Sequence, residues 1–353
     1  MSDLSRLWTE RLPRLLAAGA DFYDIQTIRQ SIDSIDQWPD AWENLAMAHH
    51  KRAQEHVRVS EWVSAGEAYS RACLYLHFGQ FVYFKNLTRK HRLQRLQNEV
   101  YDKALPYLAV EAERLKISMG KSFIGAILKI PACASSPPCV ILIPGADSTK
   151  EEFQNLEAVF HRRGLSTCSI DGPGQGLTWF DEKLCYDYER PVGYVIDTLS
   201  LRSDIDTDRI GLWGRSYGAY ACLRAASDRR VSAAVSIGGF YDLSRVWPNM
   251  PESTKESLTY AMGVESTSKF LDSMLPHYTL AGHLSNIRCP VLIVHSGKDE
   301  VCPIEDSHRM MADLKNPSSR LELFEEGNHV CDNISHIVRP LMADWLRHSL
   351  NRD

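Results

Sequence analysis

The apolar run Ile210-Gly211-Leu212-Trp213 leads into Gly214-Arg215-Ser216-Tyr217-Gly218, and the small-residue stretch Ala219 to Ala226 follows. An apolar run, a five-residue turn with glycine at both ends and a helix-prone stretch predict strand, sharp turn and helix. That is the setting of a G-x-S-x-G nucleophile elbow. A serine on so tight a turn takes strained backbone angles, so the flanking positions must be nearly free of side chain. Its hydroxyl then stands clear of the sheet, and the helix N-terminus behind it favours developing negative charge. The pentapeptide also occurs in unrelated chains, so its partners decide the reading.

An α/β-hydrolase arrangement demands an acid after a later strand and a histidine after the last one. Pro290-Val291-Leu292-Ile293-Val294-His295 reads as a buried strand, and Ser296-Gly297-Lys298-Asp299-Glu300 is its exit loop. Sites in open parallel sheets lie at the carboxyl ends of strands, which is where Asp299 falls. The Gly-x-Asp spacing favours Asp299 over its neighbour Glu300. The next strand, Arg320-Leu321-Glu322-Leu323-Phe324, exits through Glu325-Glu326-Gly327-Asn328-His329. Of 13 histidines, His329 alone stands in the loop after this last strand. His295 reads as a core residue within its strand. Ser216, Asp299 and His329 thus follow in the order expected of nucleophile, acid and base.

Two earlier loops complete the expected site. Cys139-Val140-Ile141-Leu142-Ile143 is a buried strand that exits through Pro144-Gly145-Ala146-Asp147-Ser148. An oxyanion hole takes one backbone N–H from the residue after the nucleophile and one from this early loop, which assigns Tyr217 and Ala146. Gly145 would let the backbone approach the substrate. The loop is not the His-Gly-Gly-Gly type of many lipases. A strand at Leu165 to Ile170 leads into Asp171-Gly172-Pro173-Gly174-Gln175-Gly176. This loop lacks the G-x-G-x-x-G order and any P-loop lysine, so it reads as a turn in the sheet and not a nucleotide cradle.

At 353 residues the chain has room for about two domains. Residues 1–115 show helix-period spacing, few glycines and many tryptophans and histidines. Trp38-Pro39-Asp40-Ala41-Trp42 marks a helix start, with the helix continuing to about His56. Trp62, Ala65, Ala68, Tyr69, Ala72 and Leu76 recur at spacings of three and four. A single such helix pair falls short of a repeat array. Residues 116–353 alternate strands with helices, the pattern of an α/β protein with a mostly parallel, doubly wound sheet. A Gly-Lys turn makes a hairpin at its start, and a helical insertion at about 240–283 precedes the acid strand. The helical domain and the insertion are expected to cover the active site. The candidate substrate contacts are Gly145, Arg215, Asp242, Trp247, His77, Phe78 and Phe81; core packing explains Phe78 and Phe81 equally well.

A net charge of −5 without a basic block argues against nucleic acid or an anionic membrane as partner. No apolar run approaches the roughly 20 residues of a membrane span. Nine cysteines without C-x-x-C spacing read as reduced thiols, with packing the expected role of Cys302 and Cys331 beside the acid and base loops. With an amino terminus unlike a signal peptide, the expected location is cytoplasmic.

Gly214-Arg215-Ser216-Tyr217-Gly218, Gly145-x-Asp147-Ser148, Asp171-Gly172-Pro173-Gly174-Gln175-Gly176 and the helical amino-terminal region together resemble the esterase FrsA-like group of α/β-hydrolases. That group includes 2,6-dihydroxypseudooxynicotine hydrolase of bacterial nicotine breakdown and fungal polyketide-shortening hydrolases. The resemblance covers nearly the whole chain. It implies hydrolysis of a carbon–carbon bond in a β-diketone-like small molecule by a homodimer, with Ser216, Asp299 and His329 as the triad. In the nicotine enzyme a further acidic group meets the substrate, and Asp242 is the candidate for that place here. The chemistry requires no metal or cofactor. A carboxylesterase or thioesterase would use the same triad, and a catalytically silent binding scaffold is the alternative of another class.

Overall fold

The computed structural model describes residues 3–132, 136–265 and 269–351. Its contacts divide into two compact units. The first runs to Glu113 and also takes in Glu151–Leu156; the second comprises Arg114–Lys150 and the chain from Glu157 onward.

The first unit is built on α1 (Asp3–Ala18), α2 (Phe22–Ser31), α3 (Trp38–Arg58), α4 (Trp62–Gln80) and α5 (Leu87–Ala104). Pro39 sits in the first turn of α3, where a missing amide costs no helical hydrogen bond. Ala65, Ala68 and Ala72 line the buried stripe of α4. An aromatic cluster fills the unit: the Trp42 ring lies 5.3 Å from both Tyr75 and Phe78. The Trp38 indole donates to the Phe78 carbonyl at 2.7 Å.

The same unit buries charge. Arg14 donates twice to Glu152, both at 2.7 Å, and His77 Nε2 lies 3.3 Å from that carboxylate. Burial alone would raise the Glu152 carboxyl, but the Arg14 guanidinium and His77 outweigh it and hold the group well below the usual range. Glu152 lies in the segment Glu151–Leu156, so this pair is one of the contacts that tie that segment to the helices.

One eight-stranded sheet, within the second unit except for the first two residues of β1, comprises β1 (Ala112–Met119), β2 (Ser122–Lys129), β3 (Pro138–Ile143), β4 (Ser166–Asp171), β5 (Asp206–Arg215), β6 (Val231–Ile237), β7 (Val291–Ser296) and β8 (Arg320–Phe324). The spatial order is β1-β2-β4-β3-β5-β6-β7-β8. β2 runs antiparallel to β4, and every pair from β4 through β8 is parallel. β3, β4 and β7 are buried at every position, as strands covered on both faces must be. The connecting helices are α6 (Gln154–His161), α7 (Glu189–Leu199), α8 (Tyr217–Ala225), α9 (Leu243–Val246), α10 (Glu252–Met262), α11 (Lys269–Met274), α12 (Ile304–Asp313) and α13 (Ser335–Leu350). α9, α10 and α11 form the insertion between β6 and β7.

Sequence order reverses around β3, which lies between β4 and β5. Parallel sheets bind ligands at such a switch point, outside the carboxyl ends of the strands. The fold is that of an α/β-hydrolase with an amino-terminal helical region. Among the described residues, no helix is long and apolar enough to cross a membrane.

Glu152→Gln removes the carboxylate that meets the buried Arg14. The expected loss is about 3–5 kcal/mol of unfolding free energy in urea titrations near pH 7. Because the folded carboxyl lies below its unfolded value, the pair stabilises fully above the ordinary glutamate range. The difference between wild type and variant should shrink as pH falls from that range toward the folded value.

Candidate active site

β5 ends at Arg215 and α8 begins at Tyr217, so Ser216 alone makes the turn. Its backbone stands at φ 55° and ψ −122°, a region that L-residues rarely adopt. The Ser216 amide donates to the Ile237 carbonyl at 2.9 Å, which ties the turn to the end of β6. The flanking glycines answer to space. A Cβ at position 214 would stand 1.9 Å from the Gly218 carbonyl oxygen, and one at position 218 only 2.2 Å from that of Ile143. The elbow is therefore pressed against the carboxyl end of β3.

Three side chains from distant parts of the chain meet at this turn. His329 Nε2 lies 2.9 Å from Ser216 Oγ, and His329 Nδ1 lies 2.9 Å from each oxygen of Asp299. An ionised carboxylate only accepts, so Nδ1 carries the ring proton and Nε2 presents its lone pair to the hydroxyl. Asp299 Oδ1 also accepts the amides of Val301 and Cys302, at 2.8 and 2.9 Å. Burial pushes the Asp299 carboxyl up. The His329 ring and the loop amides pull it down by more, so it stays below its ordinary value. Such an arrangement can draw a proton from the serine hydroxyl and stabilise the imidazolium that results.

The loop after β3 lies beside the hydroxyl. A Cβ on Gly145 would sit 3.5 Å from that of Ser216. Gln175 pins this loop from behind: its Nε2 donates to the carbonyls of Pro144, at 2.8 Å, and Gly145, at 3.2 Å. Its Oε1 accepts from the Gly172 amide and the Tyr188 hydroxyl. Lys150 at the far end of the loop reaches Asp171 twice, through its amide at 2.8 Å and its ammonium at 2.7 Å. The loops after β3 and β4 are thereby locked together, with Ala146 on the one that abuts Ser216.

The remaining candidates divide. Arg215 turns to Asp332, donating to Oδ2 at 2.8 Å in a buried ion pair. Asp242 caps α9 through the Ser244 amide and also accepts from its hydroxyl. Trp247 packs, half-buried, against the sheet unit's core. His77, Phe78 and Phe81 are fully buried in the helical unit; the His77 ring stacks on Phe81, while Phe78 meets both at tilted or edge-on angles. Glu300 is exposed beside Asp299. The His295 ring donates from Nε2 to the Cys302 carbonyl, and burial lowers its affinity for a second proton. Burial pushes the Cys331 thiol up to about 12 and that of Cys302 well up, so neither is a thiolate near neutral pH.

A family model described as "Esterase FrsA-like" matches residues 30–350. The chain belongs to the esterase FrsA-like family. It is 32% identical over 334 residues to 2,6-dihydropseudooxynicotine hydrolase of Paenarthrobacter nicotinovorans, covering 94% of this chain and 90% of that one. It is 27% identical to 20-hydroxy-prefusarin hydrolase of Gibberella moniliformis, covering 73% of each. The crystal structure of the 2,6-dihydroxy-pseudo-oxynicotine hydrolase superposes with a TM-score of 0.89 at 31% identity, over 96% of this chain and 95% of that one. This FrsA-like chain is an α/β-hydrolase enzyme.

Sequence reasoning read the glycine-rich loop only as a turn and passed over Gln175, Lys150, Asp171 and Asp332. A polar residue among three glycines after a buried strand was an available sign for Gln175. No local pattern points from Arg215 to Asp332, because 117 positions separate them.

Gly218→Ala places a methyl against the Ile143 and Pro144 carbonyls, at 2.2 and 2.5 Å. The expected outcome is a loss of about 1–3 kcal/mol of stability, as for other overpacked sites, with hydrolysis falling further than the folded fraction. Denaturation midpoints and turnover measured on the same preparation check it.

Proposed function

We propose that this FrsA-like enzyme is a serine hydrolase in which Ser216 is the nucleophile, His329 the general base and Asp299 the group that orients it. The observation that carries the reading is the unbroken 2.9 Å relay from the Ser216 hydroxyl through His329 to Asp299, on a backbone already strained to present that hydroxyl.

The substrate class we favour is a small molecule with a carbon–carbon bond beside a polarised carbonyl, as in β-diketones and aromatic ketones. The similarity to a pseudooxynicotine hydrolase over nearly the whole chain supports it. In the proposed reaction, His329 takes the Ser216 proton and the oxygen attacks the carbonyl. The tetrahedral oxyanion accepts the Tyr217 and Ala146 amides, each donor worth about 10²–10³ in rate. The carbon–carbon bond then breaks, and His329 returns the proton to the departing enolate carbon. Water hydrolyses the acyl-serine, releasing a carboxylic acid and a ketone. Every atom of this scheme comes from substrate, water and the three side chains. Assembly as a homodimer, through the family resemblance, and a cytoplasmic location, through the cysteine pattern and the amino-terminal sequence, belong to the same proposal.

A simple ester is the second reading, favoured by the family's description as an esterase. Products separate the two, since an ester yields an alcohol where a diketone yields a ketone.

Wild type is expected to take one fluorophosphonate per chain, and Ser216→Ala none. Turnover in the variant should drop by at least about 10⁴ while its circular dichroism and melting temperature stay near wild type. Undiminished turnover in Ser216→Ala would overturn the assignment. Chromatography of products from a diketone and aryl-ester panel then tests the substrate class, with ester cleavage alone refuting the carbon–carbon reading.

A further inference from the structure

Arg215, the variable residue between the elbow's first glycine and its serine, enters a buried ion pair with Asp332, three residues beyond His329. Both side chains are under a tenth exposed, and the contact is 2.8 Å. Arg339 approaches the other oxygen of Asp332 at 3.7 Å. The segment His329–Ile334 that carries the base is itself irregular: Val330 and Cys331 both stand at φ 55°, in the left-handed region that β-branched residues avoid. Two consecutive left-handed non-glycine residues are strained and persist only where their surroundings fix them. Besides the loop's own hydrogen bonds, from the Cys331 amide to Asn328 and between Asn328 and Asn333, two contacts with other elements are placed to do this. Gly238, at φ 63° after β6, leaves room for Val330, whose Cγ1 would lie 2.8 Å from a Cβ there. Asp332, next in the chain, is gripped by Arg215.

We propose that Arg215 and Asp332 form a positioning pair for the reaction read above, one that sets the reach of His329 to Ser216. The pair joins the two ends of that reach: Arg215 is the residue before the nucleophile, and Asp332 lies on the base's own loop. Removing either partner frees the strained loop to relax and lets Nε2 drift from its 2.9 Å contact. The pair thereby gives the Gly-Arg-Ser-Tyr-Gly form a function in this chain distinct from substrate contact. Among the described residues, the charged and titratable groups near His329 include Asp299 at Nδ1, His295 at 3.9 Å from Asp299 Oδ2, the Arg215–Asp332 pair with Arg339, Cys302 and Cys331.

The test uses the full chain with Asp332→Asn, Arg215→Met and the double variant, compared by fluorophosphonate labelling rate, kcat, KM and the pH dependence of kcat/KM. Each single variant should lose about 10- to 100-fold in kcat and in labelling rate, with KM moving less than about threefold, as expected for a misplaced catalytic group. Asp332→Asn leaves excess positive charge near the imidazole and should move the acid limb to lower pH. Arg215→Met leaves excess negative charge and should move it higher. The double variant should restore the limb toward its original position while kcat stays low. Singles whose labelling per folded molecule and pH profile match wild type would overturn the proposal. If a single variant fails to fold, Arg215→Lys decides: it keeps the charge but loses the fork geometry, so an unmoved limb with lowered kcat supports the pair, and wild-type kcat refutes it. Wild type that takes no fluorophosphonate would instead strike the serine reading on which the pair rests, a separate result.

Discussion

The candidate site depends on one residue that the sheet unit holds in a strained conformation. Ser216 takes φ 55° between the last residue of β5 and the first of α8, and an isolated peptide has no reason to stay there. Three surroundings hold it: the hydrogen bond from its amide to the Ile237 carbonyl, the pressure of Gly218 on the end of β3, and the packing of the buried helix α8 against the sheet. Each depends on β3, β5 and β6 lying side by side in that order. The strain is thus maintained by the whole sheet, and it aims the hydroxyl at the loops leaving the neighbouring strands.

Those loops are in turn fixed by polar groups buried beside them. Lys150 with Asp171, and Gln175 with the Pro144 and Gly145 carbonyls, tie the exits of β3 and β4 into one rigid surface. Arg215 with Asp332 spans the elbow and the loop after β8. Burying such pairs contributes little net stability, because desolvation cancels most of the attraction. Their effect is geometric. Removing one partner leaves a bare charge, so the arrangement that keeps both is strongly preferred over neighbouring ones. Polar groups of this kind let loops, the most adaptable segments of a fold, hold distances good to a few tenths of an ångström.

Much of this could be read from the chain before any coordinates. The alternation of apolar runs with helix-period segments gave the parallel sheet, and the Gly120-Lys121 turn gave the hairpin that opens it. The position of Asp299 and His329 directly after strands followed from where parallel sheets keep their loops. What escaped were contacts between residues distant in sequence. Arg215 is a candidate substrate contact by its place in the motif, yet its guanidinium lies on Asp332 in the structure. Asp242 is a candidate for the extra acidic group, while its carboxylate caps α9. Periodicity reports which face of an element is apolar; it carries no information on which polar side chain will find which.

The helical unit shows the same division. Its helices, small-residue stripe and tryptophans follow from spacing, since an amphipathic helix has one face to bury. That Glu151–Leu156 would group with those helices does not follow, because contacts such as those of Arg14 and His77 with Glu152 join residues far apart in sequence. By itself, then, the sequence determined the α/β-hydrolase class, the order of strands and helices and the residue types available for chemistry, all matters of local pattern and chain order. The tertiary structure alone decided which carboxylate meets which cation and how far each imidazole stands from its partner. Those distances arise only when separate strands close into one sheet and exclude the water that would otherwise solvate every charge alone.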